Sequence, residues 1–397
     1  MPLILWSFYS QRGCLEPALP IVGELLQRGH QVIGVTQAPE QHALPWGIEV
    51  VGDRFLPCPD GLPKVASGPP AELSQALDGE VAAAGWHMAE VAHLIEQHRP
   101  DLVLVDELRL GAGFAAERLG LPWVSYTHHY FDEADISEAM VHFHCQCFGR
   151  PAEAVEVFEK WWPHLREALG LGPEPRGRDQ VCWWNQSALA TLVLGLPELK
   201  VHARPAPDYV HRVGPTLWAP PAVPEPDWLG RLGKNRPAVL VSLSSNPLPD
   251  EALAVLGSEA WLGRFDIVVT AGGRALPDLP AGVILAGDFP HWQLFPQVAA
   301  VACSAGYGAV TRAASAGVGV LAVPQMGDQP LVADAVTRSG LGYSVQPDKL
   351  TVHWLRDSLD KLLTGDGLHL GALKEAAQGY DAVHVSVDLI EELLLAF

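Results

Sequence analysis

The sequence is poor in basic residues. Its 397 residues include 26 Lys and Arg against 46 Asp and Glu, so the formal net charge at pH 7 is −20. Nucleic acids and anionic membrane surfaces bind clusters of Lys and Arg. A chain this acidic is therefore not expected to have either as its main partner. If it binds a phosphate, helix ends and a few hydrogen-bond donors must hold that group locally.

Cysteine and long apolar runs are also scarce. The six cysteines show no Cys-x-x-Cys spacing, so we expect reduced thiols in a cytoplasmic protein rather than a disulfide framework. No run of about 18 apolar residues exists to span a membrane. The first residues, Met-Pro-Leu-Ile-Leu-Trp-Ser, lack the basic segment of a signal peptide. We expect neither a membrane span nor a signal peptide.

Metal-ligating residues are not grouped as a metal site requires. The segment His142-Phe-His-Cys-Gln-Cys147 has suitable residue types, but alternate residues of a helix point to different faces. No second cluster with matching spacing occurs, and no Asp-x-Asp motif stands in a suitable place. We therefore expect no metal and no bound cofactor, and interpret this segment as coincidence or as lining of a substrate cleft.

The residues that are present predict two α/β domains. Hydrophobic residues make up 48% of the chain and charged residues 18%, and this length suits two cores. Short apolar strands near 3–8, 31–36, 101–105 and 122–126 alternate with helices near 17–28, 78–98 and 111–119, which indicates a parallel sheet covered on both faces. A second alternation begins at Ala238, with strands near 267–273, 299–303 and 318–324.

A proline-rich segment predicts the domain boundary. Five prolines occur between Pro215 and Pro226, as in a stiff linker. We therefore predict a first domain over 1–215, a linker over 216–228 and a second domain over 229–382. A closing helix over 383–397 is expected to pack back on the first domain. Residues 135–170 interrupt the alternation with aromatic residues, as expected of an insertion that shapes a substrate cleft, forms a lid or caps the core.

The segment from Cys303 to Pro330 carries the clearest functional signal. It contains an apolar strand, a small-residue turn, a helix, a second strand and the pair Asp328-Gln329. A helix that begins at a glycine turn after a strand offers backbone N–H groups to a phosphate. Polar residues that follow the next strand lie where α/β proteins contact ligands. Together these features predict a sugar-nucleotide site.

In the first domain, polar residues follow three predicted strands. They are Ser10–Cys14, Asp106 and Thr127–His129. The carboxyl ends of parallel strands meet at one edge of the sheet, so these residues are expected to contribute to a second site there.

Five segments, in the same order along the chain, resemble the GT-B fold family 1 glycosyltransferases, and most closely their bacterial macrolide and antibiotic branch. They are Gly13-x-x-x-Pro17 with Gly29-His30, Val241–Ser245, Phe289-Pro290-His291 with Leu294–Pro296, Ser304–Ala309, and Gly327-Asp328-Gln329. The resemblance covers nearly the whole chain. It implies two Rossmann-like parallel-sheet domains that face each other across a cleft.

The resemblance also implies a donor-binding set. Backbone N–H groups of Gly306, Tyr307 and Gly308 would hold the donor diphosphate, assisted by Ser245 and Ser304. Pro290 and His291 would hold the nucleobase. Asp328 and Gln329 would read sugar hydroxyls, since a wrong sugar leaves a buried carboxylate unpaired. Gly13 belongs to the opening motif of the same set.

Four positions depart from the family pattern. Cys14 replaces the catalytic His, and a thiol of ordinary pKa about 8.5 is a poor base at neutral pH. Ser304 replaces a diphosphate-binding His, and Ala309 replaces a Thr. Arg312 stands where the family reads the ribose diol with Glu, which fits a deoxyribose donor. Arg312 is interpreted as a solvated helix residue in preference to a phosphate ligand.

Because of these departures, the sequence leaves several candidates for the catalytic base. Asp106, His128 and His129 are candidates for taking the acceptor proton. The alternative for Asp106 is a cap on the next helix, and the alternative for each His is an ordinary packed or surface side chain. Alternatively, the acceptor is itself acidic, such as a phenol, and needs little base.

The resemblance predicts an inverting glycosyltransferase that uses a dTDP- or UDP-sugar and a lipophilic natural-product acceptor. The alternative is a degenerate protein that binds a nucleotide, a small molecule or a partner without turnover. The sequence is compatible with a homodimer.

Overall fold

The computed structural model describes residues 1–10, 12–36, 44–52, 84–85, 87–128, 166–167, 169–172, 186–199, 207–220, 223–242, 263–271, 282–325, 329–365 and 367–397. The chain divides into two compact units. The first comprises Met1–Gly195, His202–Thr216 and Asp381–Phe397; the second comprises Leu196–Val201 and Leu217–Tyr380.

The first unit is built on a parallel sheet of seven strands. These are β1 (Leu3–Ser7), β2 (Gln31–Thr36), β3 (Glu49–Gly52), β4 (Leu102–Asp106), β5 (Trp123–Thr127), β6 (Ala190–Val193) and β7 (Val210–Arg212). Their order across the sheet is β3-β2-β1-β4-β5-β6-β7. Helix α1 (Arg12–Gln27) follows β1, and α3 (Leu110–Leu119) joins β4 to β5. The helical residues 84–85 and 87–98, named α2, precede β4.

Every residue of β4 and β5 is buried. Strands covered on both faces read as continuous apolar runs, which explains the sequence Leu-Val-Leu-Val before Asp106. The chain runs outward from β1 through β2 to β3, and then returns to β4 on the other side of β1. The carboxyl ends of β1 and β4 therefore flank the switch point of the sheet, where α/β proteins place their ligands.

The second unit repeats this plan with a parallel sheet of six strands. These are β8 (Ala238–Ser242), β9 (Asp266–Thr270), β10 (Ile284–Gly287), β11 (Ala300–Cys303), β12 (Gly319–Ala322) and β13 (Gly342–Ser344), in the order β10-β9-β8-β11-β12-β13. Its helices are α4 (His291–Leu294), α5 (Tyr307–Ala316), α6 (Gln329–Arg338), α7 (Val352–Thr364) and α8 (Leu370–Gly379). The switch point lies between β8 and β11.

The last helix, α9 (Ala382–Ala396), belongs to the first unit and packs against α1. Arg28 Nη1 lies 2.6 Å from Asp388 Oδ1 and 2.8 Å from Glu391 Oε2, and His30 Nε2 lies 2.9 Å from Glu391 Oε1. These ion pairs link the C-terminal end of α1 to α9. Within the described part of the chain, none of the helices combines the length and apolarity that a membrane span requires.

One boundary prediction was wrong in a way that affects the site. The sequence places Ser10–Cys14 in a loop and begins the helix at Pro17, but α1 begins at Arg12 and contains Pro17 and Pro20. Proline prefers the first turn of a helix without requiring it. Gly13 and Cys14 thus lie in the first turn of α1, directly after β1. The predicted strands also omit β3, β6, β7, β10 and β13.

Candidate functional site

A buried hydrogen-bonded chain occupies the switch point of the first sheet. Trp6 Nε1 in β1 donates to the hydroxyl of Tyr126 in β5 over 3.1 Å. The Tyr126 hydroxyl in turn bonds to the carboxyl of Asp106, which is its neighbour in the register of β4 and β5. All three side chains are fully buried. This chain fixes the position of Asp106 from two neighbouring strands.

The environment of Asp106 holds its carboxyl close to half-ionised at neutral pH. Burial raises its pKa from 3.8 to about 7, while the Leu108 N–H, the Tyr126 hydroxyl and the charge of Arg109 act to lower that pKa. The Leu108 N–H donates to Asp106 Oδ1 over 2.9 Å. Asp106 therefore stabilises the turn before α3. The interpretation of Asp106 as a cap of the next helix was wrong, because Arg109 is the N-cap residue of α3 and no side-chain hydrogen bond caps that helix. A carboxyl with this pKa is typical of functional sites as well.

Cys14 and His128 meet at the same edge of the sheet. Cys14 Sγ, in the first turn of α1, lies 3.9 Å from Nε2 of His128, which directly follows β5. Each of the two side chains is only 6% exposed. Burial raises the pKa of Tyr126 well above its ordinary range, and a thiolate at Cys14 would raise that pKa further. Cys14, His128, Tyr126 and Asp106 thus form one buried cluster, which we call the strand-end cluster.

The sequence named Cys14, Asp106 and His128 as separate candidates, and the structure groups them. It also adds three residues that the sequence analysis missed, namely Trp6, Tyr126 and Arg109. Arg109 is 3% exposed, and its Nε lies 3.5 Å from Ser7 Oγ at the end of β1. The role of Tyr126 could have been predicted from the sequence. It lies in a buried strand that ends beside Asp106, and a buried tyrosine hydroxyl needs a hydrogen-bond partner.

In the second unit, α5 begins directly after β11 at the switch point. Ser304 is buried, Ala305 has φ of 59°, and Gly306 is the residue that precedes the helix. A positive φ is uncommon outside glycine, and such turns occur preferentially at functional sites. Burial raises the pKa of the Cys303 thiol to about 11. The strand therefore ends in a neutral side chain.

The start of α5 has the geometry of an anion site. The N–H groups of Ala309 and Val310 both bond to the carbonyl of Gly306 over 3.1 Å, which begins the helical ladder. The N–H groups of Tyr307 and Gly308 precede that ladder and belong to the positive end of the helix dipole. Gly308 is exposed, and a side chain added there would meet no other atom within 4 Å. Within the described stretch from Ser304 to Val310 none of the side chains is charged, and an anion there would be held by backbone donors.

Other predicted donor residues lie at the carboxyl ends of neighbouring strands. His291 Nε2 lies 2.8 Å from Oγ1 of Thr270, the last residue of β9, and Pro290 precedes α4. Gln329 opens α6 after β12, and its Oε1 accepts from the N–H of Gln325 over 2.9 Å. The parallel strands bring these residues to the same edge of the sheet as Ser304 and α5.

The interpretation of Arg312 as a solvated residue was wrong. Arg312 is half-buried in α5, and its Nη2 donates to the carbonyl of Trp218 over 2.9 Å. Its guanidinium therefore anchors the segment that enters the second unit. The sequence could not show this bond, because the two residues are far apart along the chain.

Several predicted residues lie outside the described part of the chain. They are Ser245, Gly327, Asp328, His129, the segment 142–147 and the insertion over 135–165. Among the residues that the structure does describe, His, Cys, Asp and Glu form no group of three or more that could hold a metal ion.

Residues 259–383 match the family described as Erythromycin biosynthesis protein CIII-like, C-terminal domain. A PGL/p-HBAD biosynthesis glycosyltransferase of Mycobacterium tuberculosis is 30% identical over 326 residues, which cover 78% of this chain and 72% of that protein. The chain belongs to the family 1 glycosyltransferases. The 4'-demethylrebeccamycin synthase of Lentzea aerocolonigenes is 27% identical to the chain described here, and the match covers 96% of this chain and 97% of the synthase.

Solved structures confirm the fold of the glycosyltransferase. The glycotransferase of kitacinnamycin superimposes with a TM-score of 0.74 at 22% identity, covering 99% of both chains. The spinosyn rhamnosyltransferase SpnG, solved with thymidine diphosphate, superimposes with a TM-score of 0.67 at 20% identity, covering 98% of this chain and all of that one. The two Rossmann-like parallel sheets predicted from the sequence are those of the GT-B fold. The relatives also confirm the prediction of a glycosyltransferase.

Proposed function

We propose that this glycosyltransferase is an inverting enzyme that moves a sugar from a dTDP- or UDP-sugar to a lipophilic natural-product acceptor. The observation that carries the proposal is the start of α5 at the switch point of the second sheet. There a strand, a turn with Ala305 at positive φ and a helix N-terminus follow one another without a charged side chain. This arrangement suits a leaving diphosphate, which gains negative charge as its bond to the sugar breaks.

The proposed leaving-group site works through the backbone. When the sugar leaves, a negative charge develops on the diphosphate, and the N–H groups of Tyr307 and Gly308 are fixed in advance to receive it. Donors that need no reorganisation are the main source of such electrostatic stabilisation. Ser304, buried at the end of β11, adds a hydroxyl. In this proposal the helix end supplies the positive potential, and no metal or cofactor is required.

The remaining contacts to the nucleotide sugar are proposed at the carboxyl ends of the neighbouring strands. His291, held by Thr270, and Pro290 would contact the nucleobase. Gln329, with Ser245 and Asp328, would complete the diphosphate and sugar contacts. The thymidine diphosphate bound by a structural neighbour supports dTDP as the nucleotide. The absence of a Glu at position 312, where the family reads a ribose diol, supports a deoxyribose as well.

The strand-end cluster is the proposed place where the acceptor loses its proton. Inversion requires the acceptor oxygen to attack the anomeric carbon on the face opposite the diphosphate. A base that removes the acceptor proton contributes about 10²–10⁴-fold to such a step. Cys14, Asp106 and His128 are the candidates within this cluster, and their burial shields the proton transfer from water.

Nucleotide binding tests the donor assignment without knowledge of the acceptor. A ligand that binds only the folded state at 100 times its Kd stabilises that state by about 2.7 kcal/mol. We expect dTDP to raise the midpoint of thermal unfolding, UDP to raise it less and thymidine to leave it nearly unchanged, because the diphosphate supplies the contact with α5. Equal shifts for thymidine and dTDP, or no shift with any nucleotide, would contradict the proposal.

A further inference from the structure

Two observations in the strand-end cluster distinguish its carboxyl from its imidazole. Asp106 has 0% exposure, and its carboxyl already accepts from the Leu108 N–H and from the Tyr126 hydroxyl. These bonds tie the carboxyl to β5 and to the turn before α3, and an acceptor hydroxyl would have to enter a fully buried site in order to reach it. Asp106 is thus built to hold the strand ends in place rather than to contact the acceptor.

His128 has a different contact. It follows the last residue of β5, so it stands beyond the sheet edge, and its Nε2 faces Cys14 Sγ at 3.9 Å. A thiol is protonated at neutral pH and is a weak hydrogen-bond donor. With Cys14 as the donor, Nε2 is the nitrogen that carries the lone pair. The sulfur contact is long and weak, so an acceptor hydroxyl can replace it at little cost.

We propose that His128 is the catalytic base of this enzyme, with Nε2 as the proton-accepting atom and Cys14 as the positioning residue that selects this tautomer. The inference rests on the proposed function. In the step, the acceptor oxygen forms its bond to the anomeric carbon while the bond from that carbon to the diphosphate oxygen breaks. The electron pair leaves with the diphosphate, and the acceptor's proton moves to Nε2. The imidazolium later returns this proton to solvent.

The surrounding groups suit this assignment. Asp106, Arg109 and the Tyr126 phenol lie at the same strand ends, and Cys14 approaches from α1. Tyr126 stays neutral because burial raises its pKa, and Asp106 is the carboxyl group of the cluster. A carboxylate at these strand ends favours an imidazolium once it forms.

The test measures turnover of a nucleotide sugar in the full-length protein. The dTDP- or UDP-sugar that the wild type hydrolyses fastest serves as the probe, with water as the acceptor. We expect His128→Ala and His128→Gln to lose about 10²–10⁴-fold in kcat, with dTDP affinity within about twofold of the wild type. Cys14→Ala is expected to lose less than about tenfold, because it removes a weak donor and leaves the base in place.

Chemical rescue separates a base from a structural residue. Added imidazoles should restore turnover to His128→Ala, and the restored rate should rise with the basicity of the imidazole. The same compounds should leave His128→Gln, whose side chain fills the space, unrestored. A rescue independent of basicity, or His128→Ala activity above one tenth of the wild type, would overturn the proposal. So would a larger loss in Asp106→Asn than in His128→Ala. A wild type that binds no nucleotide would instead refute the proposed function, and this inference with it.

Discussion

The Gly308→Asp variant is expected to bind dTDP about 100-fold more weakly than the wild type while keeping its thermal stability. Gly308 is the second residue of α5, is exposed and has room for a side chain. A carboxylate in the first turn of a helix is favourable for the helix itself. Against a diphosphate about 5 Å away, the same carboxylate costs about 3 kcal/mol per pair of unit charges at an effective dielectric constant of about 20.

The chain offers a matched control. Gly371 is the second residue of α8, is exposed, and has the same free space around the position of a Cβ. Gly371→Asp repeats the substitution at a helix N-terminus in the same unit, away from the switch point. Calorimetric titration should show wild-type dTDP affinity in this control. Equal affinities in the two variants would show that the diphosphate does not bind at α5.

The second large effect concerns the dependence of stability on pH. The Asp106→Asn variant should become increasingly more stable than the wild type as the pH rises from about 4 to 7. Folding raises the pKa of this carboxyl from 3.8 to about 7, so within this window the unfolded chain releases the proton and the folded chain retains it. Each pH unit then costs the wild type about 1.4 kcal/mol. The gain of the variant should therefore reach about 4 kcal/mol and stay level above pH 7.

Urea unfolding of both proteins at several pH values measures this difference. Asn retains an oxygen that can accept from the Leu108 N–H, so the substitution changes the charge more than the packing. Asp101→Asn is the control. Asp101 precedes β4 at its other end, is exposed, and accepts from the Leu3 N–H over 2.7 Å. A constant difference between Asp106→Asn and wild type across this range would contradict the description of Asp106 as a buried carboxyl that folding protonates.

Much of the fold could be predicted from the sequence, because it depends on the local pattern of apolar and polar residues. The buried strands β1, β2, β4 and β5 are short apolar runs separated by amphipathic helices, and the two Rossmann-like sheets follow from that alternation. The start of α1 was misplaced because a helix that enters directly from a strand can contain prolines after its first turn. The proline at position 17 was a stronger sequence signal than the small residues before it.

The strand-end cluster could be predicted from the sequence only in part. Sequence order identifies which residues follow a strand, so Cys14, Asp106 and His128 were named, but strand order decides which of these residues meet. The pairing of β1 with β4, and of β4 with β5, brings together residues more than 100 positions apart. Trp6 and Tyr126 were missed because a buried aromatic residue in a strand reads as core. Their polar atoms gain a role only when the neighbouring strand supplies a partner.

The central claim is that this chain is an inverting glycosyltransferase that uses a nucleotide sugar. The most direct measurement follows the hydrolysis of dTDP- and UDP-sugars by proton NMR, because water replaces the unidentified acceptor and the first-formed sugar reports the stereochemistry. We predict enzyme-dependent release of the nucleoside diphosphate from at least one of these sugars, with the initial free sugar in the anomeric configuration opposite to that of the donor. Release with the donor configuration retained, or no release above the rate without enzyme, would contradict it.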